Sequence, residues 1–387
     1  MNNDITQNIK YIGVDDLDLD LFEGQYIIPN GIAYNSYIIF DQKIAIIDTV
    51  DNRKSDIWWQ NLDNALNSRT PHYLIVQHME PDHSGNIAEA LKRFPDIKIV
   101  SSAKGIAMLP QFFEGIDFSN NTITIKDNDT LNLGQHTLQF LTAPMVHWPE
   151  VITTYEATEK ILFSADAFGK FGALCHDEEW DCEARRYYFN ICGKYGAQVQ
   201  ALLKKASALD IKTICPLHGP ILSENLSHYI NLYDTWSKYE PETDGVFIAY
   251  ASIYGGTAVA AQTMAQMFRD RGIANISICD LCRDDMAEAL EDAFRMNRMI
   301  LAAASYDGGV FPAMHDFLHH LQTKNFQNRR IGIIENGSWA PCAARVMTDM
   351  IGRMKNIEIV EPVVTIVSRM KQSDIPALEA LADAISK

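Results

Sequence analysis

Residues 78–83 read His78-Met79-Glu80-Pro81-Asp82-His83, and they directly follow the apolar run Tyr73-Leu74-Ile75-Val76. Four potential metal ligands at the end of an expected strand constrain this chain more than any other feature. A strand end followed by a tight loop lets alternating side chains converge on one point, as coordination requires. Imidazole suits iron, zinc, copper and nickel, whereas each carboxylate shifts preference toward harder ions. Two histidines with two carboxylates therefore lean toward iron. The competing explanation, a polar loop with incidental histidines, loses force once the rest of the chain is read.

At 387 residues the chain exceeds a comfortable single core, so two domains are expected. A hydrophobic content of 47% and a charged content of 21% are those of an ordinary soluble globular protein. The net charge of −17 argues against a nucleic-acid partner, which would want a basic face. The first residues carry neither a basic region nor an apolar core, so no secretory signal is expected. No uninterrupted apolar stretch approaches the roughly 20 residues of a membrane helix. A cytoplasmic protein without membrane contact is the expectation. The seven cysteines (Cys175, Cys182, Cys192, Cys215, Cys279, Cys282 and Cys342) read as reduced thiols. Cys279 and Cys282 form a lone CxxC without the second pair that a rubredoxin-type or zinc-ribbon site needs. They are read as small buried residues at a strand end.

To about residue 240, short strand-like runs alternate with turns and a few helices. Residues 37–40 and 44–48 suggest a hairpin across Asp41-Gln42-Lys43, and 86–94 has helical spacing. Further strands are predicted at 97–101, 122–125, 137–141, 151–155, 160–163 and 212–215. Hairpins interspersed with helices suggest an α/β sandwich. Near Tyr239-Glu240-Pro241-Glu242-Thr243-Asp244-Gly245 a short linker is expected, dividing the chain into residues 1–241 and 242–387. Beyond it, predicted strands at 246–251, 276–279, 299–304, 331–335 and 357–360 alternate with helices, the last at 375–386. Such alternation implies a doubly wound parallel sheet.

Three more ligand candidates lie downstream. His147 sits in Met145-Val146-His147-Trp148-Pro149-Glu150, Asp166 ends Ile161-Leu162-Phe163-Ser164-Ala165-Asp166, and His218 lies in Cys215-Pro216-Leu217-His218-Gly219-Pro220. One division places His78, Glu80 and His147 on one metal and Asp82, His83 and His218 on the other, with Asp166 bridging. Two ions about 3.5–4 Å apart can clamp a small substrate from both sides. The other histidines of this half, His72, His136, His176 and His228, have no motif context.

On these residues the first part resembles the metallo-β-lactamase fold, an αββα sandwich whose hydrolases carry His-x-His-x-Asp-His at the corresponding strand end. Here Glu80 stands in place of the second histidine, adding a negative charge and an oxygen donor. His-x-Glu-x-Asp-His is the pattern of flavodiiron proteins, and the order His147, Asp166, His218 is similar to theirs. Tyr34-Asn35-Ser36 is similar to a stretch in that family.

In the second part, Ser252-Ile253-Tyr254-Gly255-Gly256-Thr257 follows a predicted strand and opens a helix. Its hydroxyls and backbone amides can surround a phosphate at a positive helix N-terminus. It lacks the lysine of a nucleotide P-loop and the Gly-x-Gly-x-x-Gly of a dinucleotide site, and it resembles the phosphate loop of flavodoxins, which bind FMN. Ser305-Tyr306-Asp307-Gly308-Gly309 and Asn336-Gly337-Ser338-Trp339 lie at carboxyl ends of further predicted strands, where open α/β sheets bind ligands. Tyr306 and Trp339 can flank an isoalloxazine ring. Both loops depart from the family's usual Ser-Pro-Thr and Gly-Ser-Tyr-Gly-Trp.

The resemblance covers the whole chain and implies a flavodoxin-like domain after the metallo-β-lactamase-like one. It implies two iron ions and FMN as cofactors and reduction of O2 to water or NO to N2O. It also implies a head-to-tail homodimer or dimer of dimers. As the chain ends at Lys387, no fused rubredoxin module is expected, and a separate rubredoxin-like donor would supply electrons. A zinc hydrolase with an accessory flavin domain, and a flavin electron carrier with a structural metal, are the alternatives. Glu80 counts against the first and the seven ligands, with coordination left open, against the second.

Overall fold

Runs of β-branched and aromatic residues between turn residues form the strands of two sheets in the first half of the chain. The computed structural model describes residues 4–387. The first sheet holds β1 (Ile9–Tyr11), β2 (Tyr37–Ile39), β3 (Ala45–Ile47), β4 (Tyr73–Ile75), β5 (Lys98–Ser102) and β6 (Thr122–Ile125), side by side in chain order. Its first two pairings are antiparallel and the rest parallel. The predicted hairpin is there, with Tyr37 opposite Ile47 and Ile39 opposite Ala45.

The second sheet runs β7 (Thr130–Asn132), β8 (Thr137–Thr142), β9 (Ile152–Glu156), β10 (Ile161–Phe163) and β11 (Thr213–Cys215). It is antiparallel except for β10 and β11. One buried cluster joins Tyr37, Ile39, Ala45, Ile47, Ile75 and Val100 of the first sheet to Leu138, Phe140, Ile152, Ile161, Phe163 and Cys215 of the second. Alternate residues face opposite ways along a strand, so Ile38, Ile46, Leu74 and Ile99 occupy the other face of the first sheet. They too are wholly buried, so the first sheet is covered on both sides, as in a sandwich.

The C-terminal sheet holds β12 (Thr243–Ala251), β13 (Ile276–Asp280), β14 (Met296–Tyr306), β15 (Gln327–Asn336) and β16 (Lys355–Ile366) in the order β13-β12-β14-β15-β16. These four pairings are all parallel, and the reversal of direction beside β12 leaves a crevice at the carboxyl ends of β12 and β14. Strands β14 and β15 begin earlier than their apolar runs suggest. Arg298 and Arg329 extend them because backbone carbonyls satisfy their guanidinium groups: Arg298 Nε donates to Gly245 O at 3.2 Å and Arg329 Nη1 to Tyr239 O at 2.8 Å.

The chain divides into two compact units, one of residues up to Tyr188 with Ala197–Asp234, the other of Phe189–Gly196 with Thr235–Lys387. Aromatic packing explains why Phe189–Gly196 belongs to the second. Phe189 stacks on Phe294 at 4.1 Å between ring centroids and meets Trp236 at 6.1 Å. No described helix is long and apolar enough to cross a membrane.

Candidate functional site

Parallel strands present their carboxyl ends on one side of a sheet. His78 and Glu80 follow β4, Asp166 follows β10 and His218 follows β11, while His147 lies in the connection between β8 and β9. Asp82 and His83 do not sit in a loop as the sequence suggests. Pro81–Ser84 forms one helical turn, because Pro81 at its first position pre-sets the helical φ and Glu80 enters it in extended geometry.

The seven residues form two groups: His78, Glu80, His147 and Asp166 in one, and Asp82, His83 and His218 in the other. Glu80 Oε2 lies 3.1 Å from His78 Nε2 and 3.0 Å from His147 Nε2. Asp166 Oδ2 lies 3.2 Å and 3.3 Å from the same two nitrogens. In the second group the Nε2 atoms of His83 and His218 are 3.0 Å apart, and Asp82 Oδ2 is 3.4 Å and 3.3 Å from them. Asp166 Oδ1 is 3.7 Å from each of those nitrogens. One carboxylate thus sends an oxygen to either group.

These spacings fit metal ligation. Bonds of about 2.0–2.2 Å at angles of about 90–110° separate neighbouring ligand atoms by about 3.0–3.5 Å. Both carboxylate oxygens of Asp82 and of Asp166 are buried without a hydrogen-bond partner among the described residues. Buried polar atoms are normally satisfied, and orphans gathered in one spot point to a missing ligand.

The histidine tautomers are set from behind. Glu150 Oε1 accepts from His78 Nδ1 at 2.9 Å and from the Met79 amide at 2.9 Å. His218 Nδ1 donates to the Ala33 carbonyl at 2.8 Å. Each bond commits Nδ1 and aims Nε2 into its group, the usual support for a metal-binding imidazole. Asn35 Nδ2 braces the His218 loop by donating to the Pro216 and Gly219 carbonyls, both at 2.8 Å, and Tyr37 adds a hydroxyl bond to Pro216 at 2.6 Å. Tyr34 sets its ring edgewise to His83 and His218. The Tyr34-Asn35-Ser36 stretch therefore works as scaffolding for this site.

The charges reinforce one another. Burial would lower His78, yet Asp166, Glu150 and Glu80 hold its pKa well above the ordinary histidine value. Burial is likewise outweighed at His147, where the neighbouring carboxylates of Asp166 and Glu80 raise the pKa to about 9. Burial wins at His83, driving it down to about 4 against the pull of Asp82. Burial would raise Glu80 and Asp166, but the imidazoles beside them hold both well below the usual carboxylate range. With Nδ1 of His78 committed to Glu150, Nε2 is the atom that faces Glu80 and Asp166, the position a cation would take.

In the second unit, a cavity of about 510 Å³ opens at the carboxyl ends of β12, β14 and β15. This is within the range of small-ligand sites. From the first predicted loop it is lined by Ser252, Ile253, Tyr254, Gly256 and Thr257. The second contributes Ser305, Tyr306, Asp307 and Gly308, and the third Asn336, Gly337, Ser338 and Trp339. Gly255 and Gly309 are not in the lining. Gly255 turns the chain into the helix Gly256–Asp270 at φ 87°, and the Gly309 carbonyl accepts from Cys342 Sγ at 3.4 Å. A Cβ on Gly256 would lie 2.4 Å from the Ser368 carbonyl, so only glycine permits this close approach. Ser305 Oγ is taken up by the amides of Cys342 and Ala343, at 2.9 Å and 3.1 Å, and caps the following helix.

Sequence reasoning missed Glu150 and the Ala33 carbonyl at the metal groups, and Ala340, Cys342, Ser368 and Arg369 at the cavity. A carboxylate three residues after His147 was the one available signal for Glu150.

Residues 32–219 match the family model described as ODP family beta lactamase. The chain is 29% identical to the anaerobic nitric oxide reductase flavorubredoxin of Aliivibrio fischeri, over 87% of this chain and 69% of that one. It superposes on rubredoxin oxygen:oxidoreductase from Desulfovibrio gigas with a TM-score of 0.92 at 23% identity, covering 100% of this chain and 98% of that one. The flavodiiron protein from Giardia intestinalis superposes with a TM-score of 0.90 at 21% identity, covering 99% and 96%.

Proposed function

The chain belongs to the flavodiiron proteins, oxidoreductases that carry FMN and a diiron centre, and on that premise we propose that it reduces O2 to water, NO to N2O, or both, for detoxification of these gases. One observation carries the reading furthest: Asp166 directs Oδ2 toward His78 and His147 and Oδ1 toward His83 and His218. A carboxylate so placed is what a two-ion site requires of a bridge. His78, Glu80 and His147 would hold one iron, and Asp82, His83 and His218 the other. The flavin would lie in the cavity at the carboxyl ends of β12, β14 and β15, with Tyr306 and Trp339 beside its ring.

When bound, the irons supply adjacent redox-active ions for a diatomic gas, and FMN supplies electrons singly from a two-electron store. Reduction of O2 to two waters consumes four electrons and four protons; coupling of two NO to N2O and water consumes two of each. The side chains prepare for this by staying fixed and dry. His78 and His83 are 0% exposed and Asp166 is 1% exposed, which strengthens every charge interaction among them. Glu150 and the Ala33 carbonyl hold two imidazoles in one tautomer, so no side-chain rearrangement need accompany turnover.

A head-to-tail homodimer, a rubredoxin-like electron donor and a cytoplasmic setting complete the reading. The relatives named for flavorubredoxin and for rubredoxin:oxygen oxidoreduction support such a donor. The test is consumption of O2, and separately of anaerobic NO, by chemically reduced protein whose iron and FMN have been quantified. Rapid turnover of either gas is expected, and the two rates rank the substrates. Protein that binds zinc and turns over neither gas would overturn the proposal.

A further inference from the structure

Resting on the flavin reading above, we propose that Arg369 binds the terminal phosphate of FMN and makes the cavity select FMN over unphosphorylated flavin. The phosphate loop spends part of its own polarity on itself. Ser252 Oγ accepts from the Gly255 amide at 3.1 Å and the Ala258 amide at 3.3 Å, so this hydroxyl holds the loop closed. The start of the helix Gly256–Asp270 offers its remaining amides and a partial positive charge, but no full counter-charge for a dianion. The chain as a whole is strongly acidic, at −17.

Arg369 is the one Lys or Arg among the residues lining the cavity. Its place is fixed by its neighbour. The Ser368 carbonyl lies against Gly256 and accepts from Asn336 Nδ2 at 2.9 Å, and Ser368 Oγ meets Ser338 Oγ at 2.8 Å. This anchors the segment after β16 over the first turn of the phosphate-loop helix. Arg369 is exposed and takes part in no ion pair found among the described residues. Nearby Lys371 cannot substitute, because its Nζ is folded onto the Val367 and Arg369 carbonyls at 2.7 Å and 3.2 Å. The other charged residue of the lining, Asp307, belongs to the turn after β14 and would repel a phosphate placed there. The dianion is therefore drawn to the Arg369 side, where a planar fork of donors matches phosphate oxygens.

Full-length protein stripped of flavin, titrated with FMN and with riboflavin by fluorescence quenching, tests this directly. Arg369→Ala should weaken FMN about 10- to 100-fold. Riboflavin should change by less than about twofold, which also shows that the fold is intact. Arg369→Lys should fall between wild type and Arg369→Ala, keeping the charge without the fork. Unchanged FMN affinity in Arg369→Ala, or equal loss for both flavins, would remove Arg369 from the phosphate while leaving the flavin site standing. Wild-type protein that binds neither flavin would overturn this inference and the flavin assignment together.

Discussion

Six of the seven residues of the metal groups are buried and Glu80 is half-buried, whereas the cavity of the second unit is rimmed by Tyr254 at 98% exposure and Trp339 at 83%. Around Asp166 nearly every donor and acceptor is a side chain, held by a second set of contacts from Glu150, Ala33 and Asn35. Around the cavity of the second unit the lining comes from loops, and the Ser252 and Ser305 hydroxyls are spent on holding those loops themselves. The difference follows from what each ligand asks of a protein. A cation needs a few atoms of set charge at set separations, and burial sharpens their effect. A flat, amphipathic ring with a phosphate tail needs shape, apolar faces and backbone amides, which many sequences can provide.

That contrast predicts steeply unequal responses to substitution. Asp166→Ala should have the largest effect, because it takes an oxygen from both groups. We expect loss of both irons by metal analysis, with gas consumption falling about 100-fold or more and FMN content unchanged. If one iron stays bound at wild-type affinity, Asp166 serves a single group. Glu150→Gln keeps the shape but removes the charge behind His78, and should weaken iron binding about 10- to 100-fold in a chelator competition.

A third effect is carried by protons. His147 is raised to about 9 and His78 above its ordinary value, so the metal-free protein keeps protons where a cation would bind. Iron must displace them, so apparent affinity for ferrous iron should rise with pH until about 9 and level off above. The sign for stability is opposite. A raised histidine pKa stabilises the metal-free fold fully below about 6.5, and that contribution is lost as pH climbs through the raised value. Melting of the metal-free protein from pH 6 to 10 should show this decline, and loading with iron should abolish it. A flat profile in metal-free protein would show that the carboxylates do not hold these protons.

Substitutions at the cavity should be milder. Trp339→Ala removes one exposed ring face and should weaken FMN about three- to tenfold in a quenching titration, with iron content unaltered. Cys282→Ser should have the smallest effect, within about 0.5 kcal/mol in denaturant unfolding. Its thiol is exposed while Cys279 is buried, so the pair divides between surface and core where the sequence suggests two buried residues. A larger loss would give this CxxC a part in the fold or the cavity.

The same contrast decides what was legible beforehand. The His-x-Glu-x-Asp-His run, with His147, Asp166 and His218, could be read because residue type already specifies charge and donor atom. The helical turn Pro81–Ser84 reads as loop in the sequence, since four residues are too short for a periodic signal. Early starts of β14 and β15 were hidden because Arg298 and Arg329 look like loop residues until the carbonyls that accept from them are known. At the cavity the three loops could be located from strand ends, but their individual contacts could not. Gly255 and Gly309 lie outside the lining, while Arg369, in the segment after β16 that carries no motif, lies within it.

By itself the sequence determined the kinds of ligand available, the hairpin between β2 and β3, and the strand–helix alternation of the C-terminal sheet. Those properties are local, written in side-chain chemistry and in the periods of strand and helix. The tertiary structure alone decided that Asp166 faces both groups, that a carbonyl 185 residues away fixes the tautomer of His218, and that Arg369 lines the same cavity as Ser252 and Thr257. Such placements depend on how distant segments are brought together by a shared core, and a backbone carbonyl is the same in every residue that carries one.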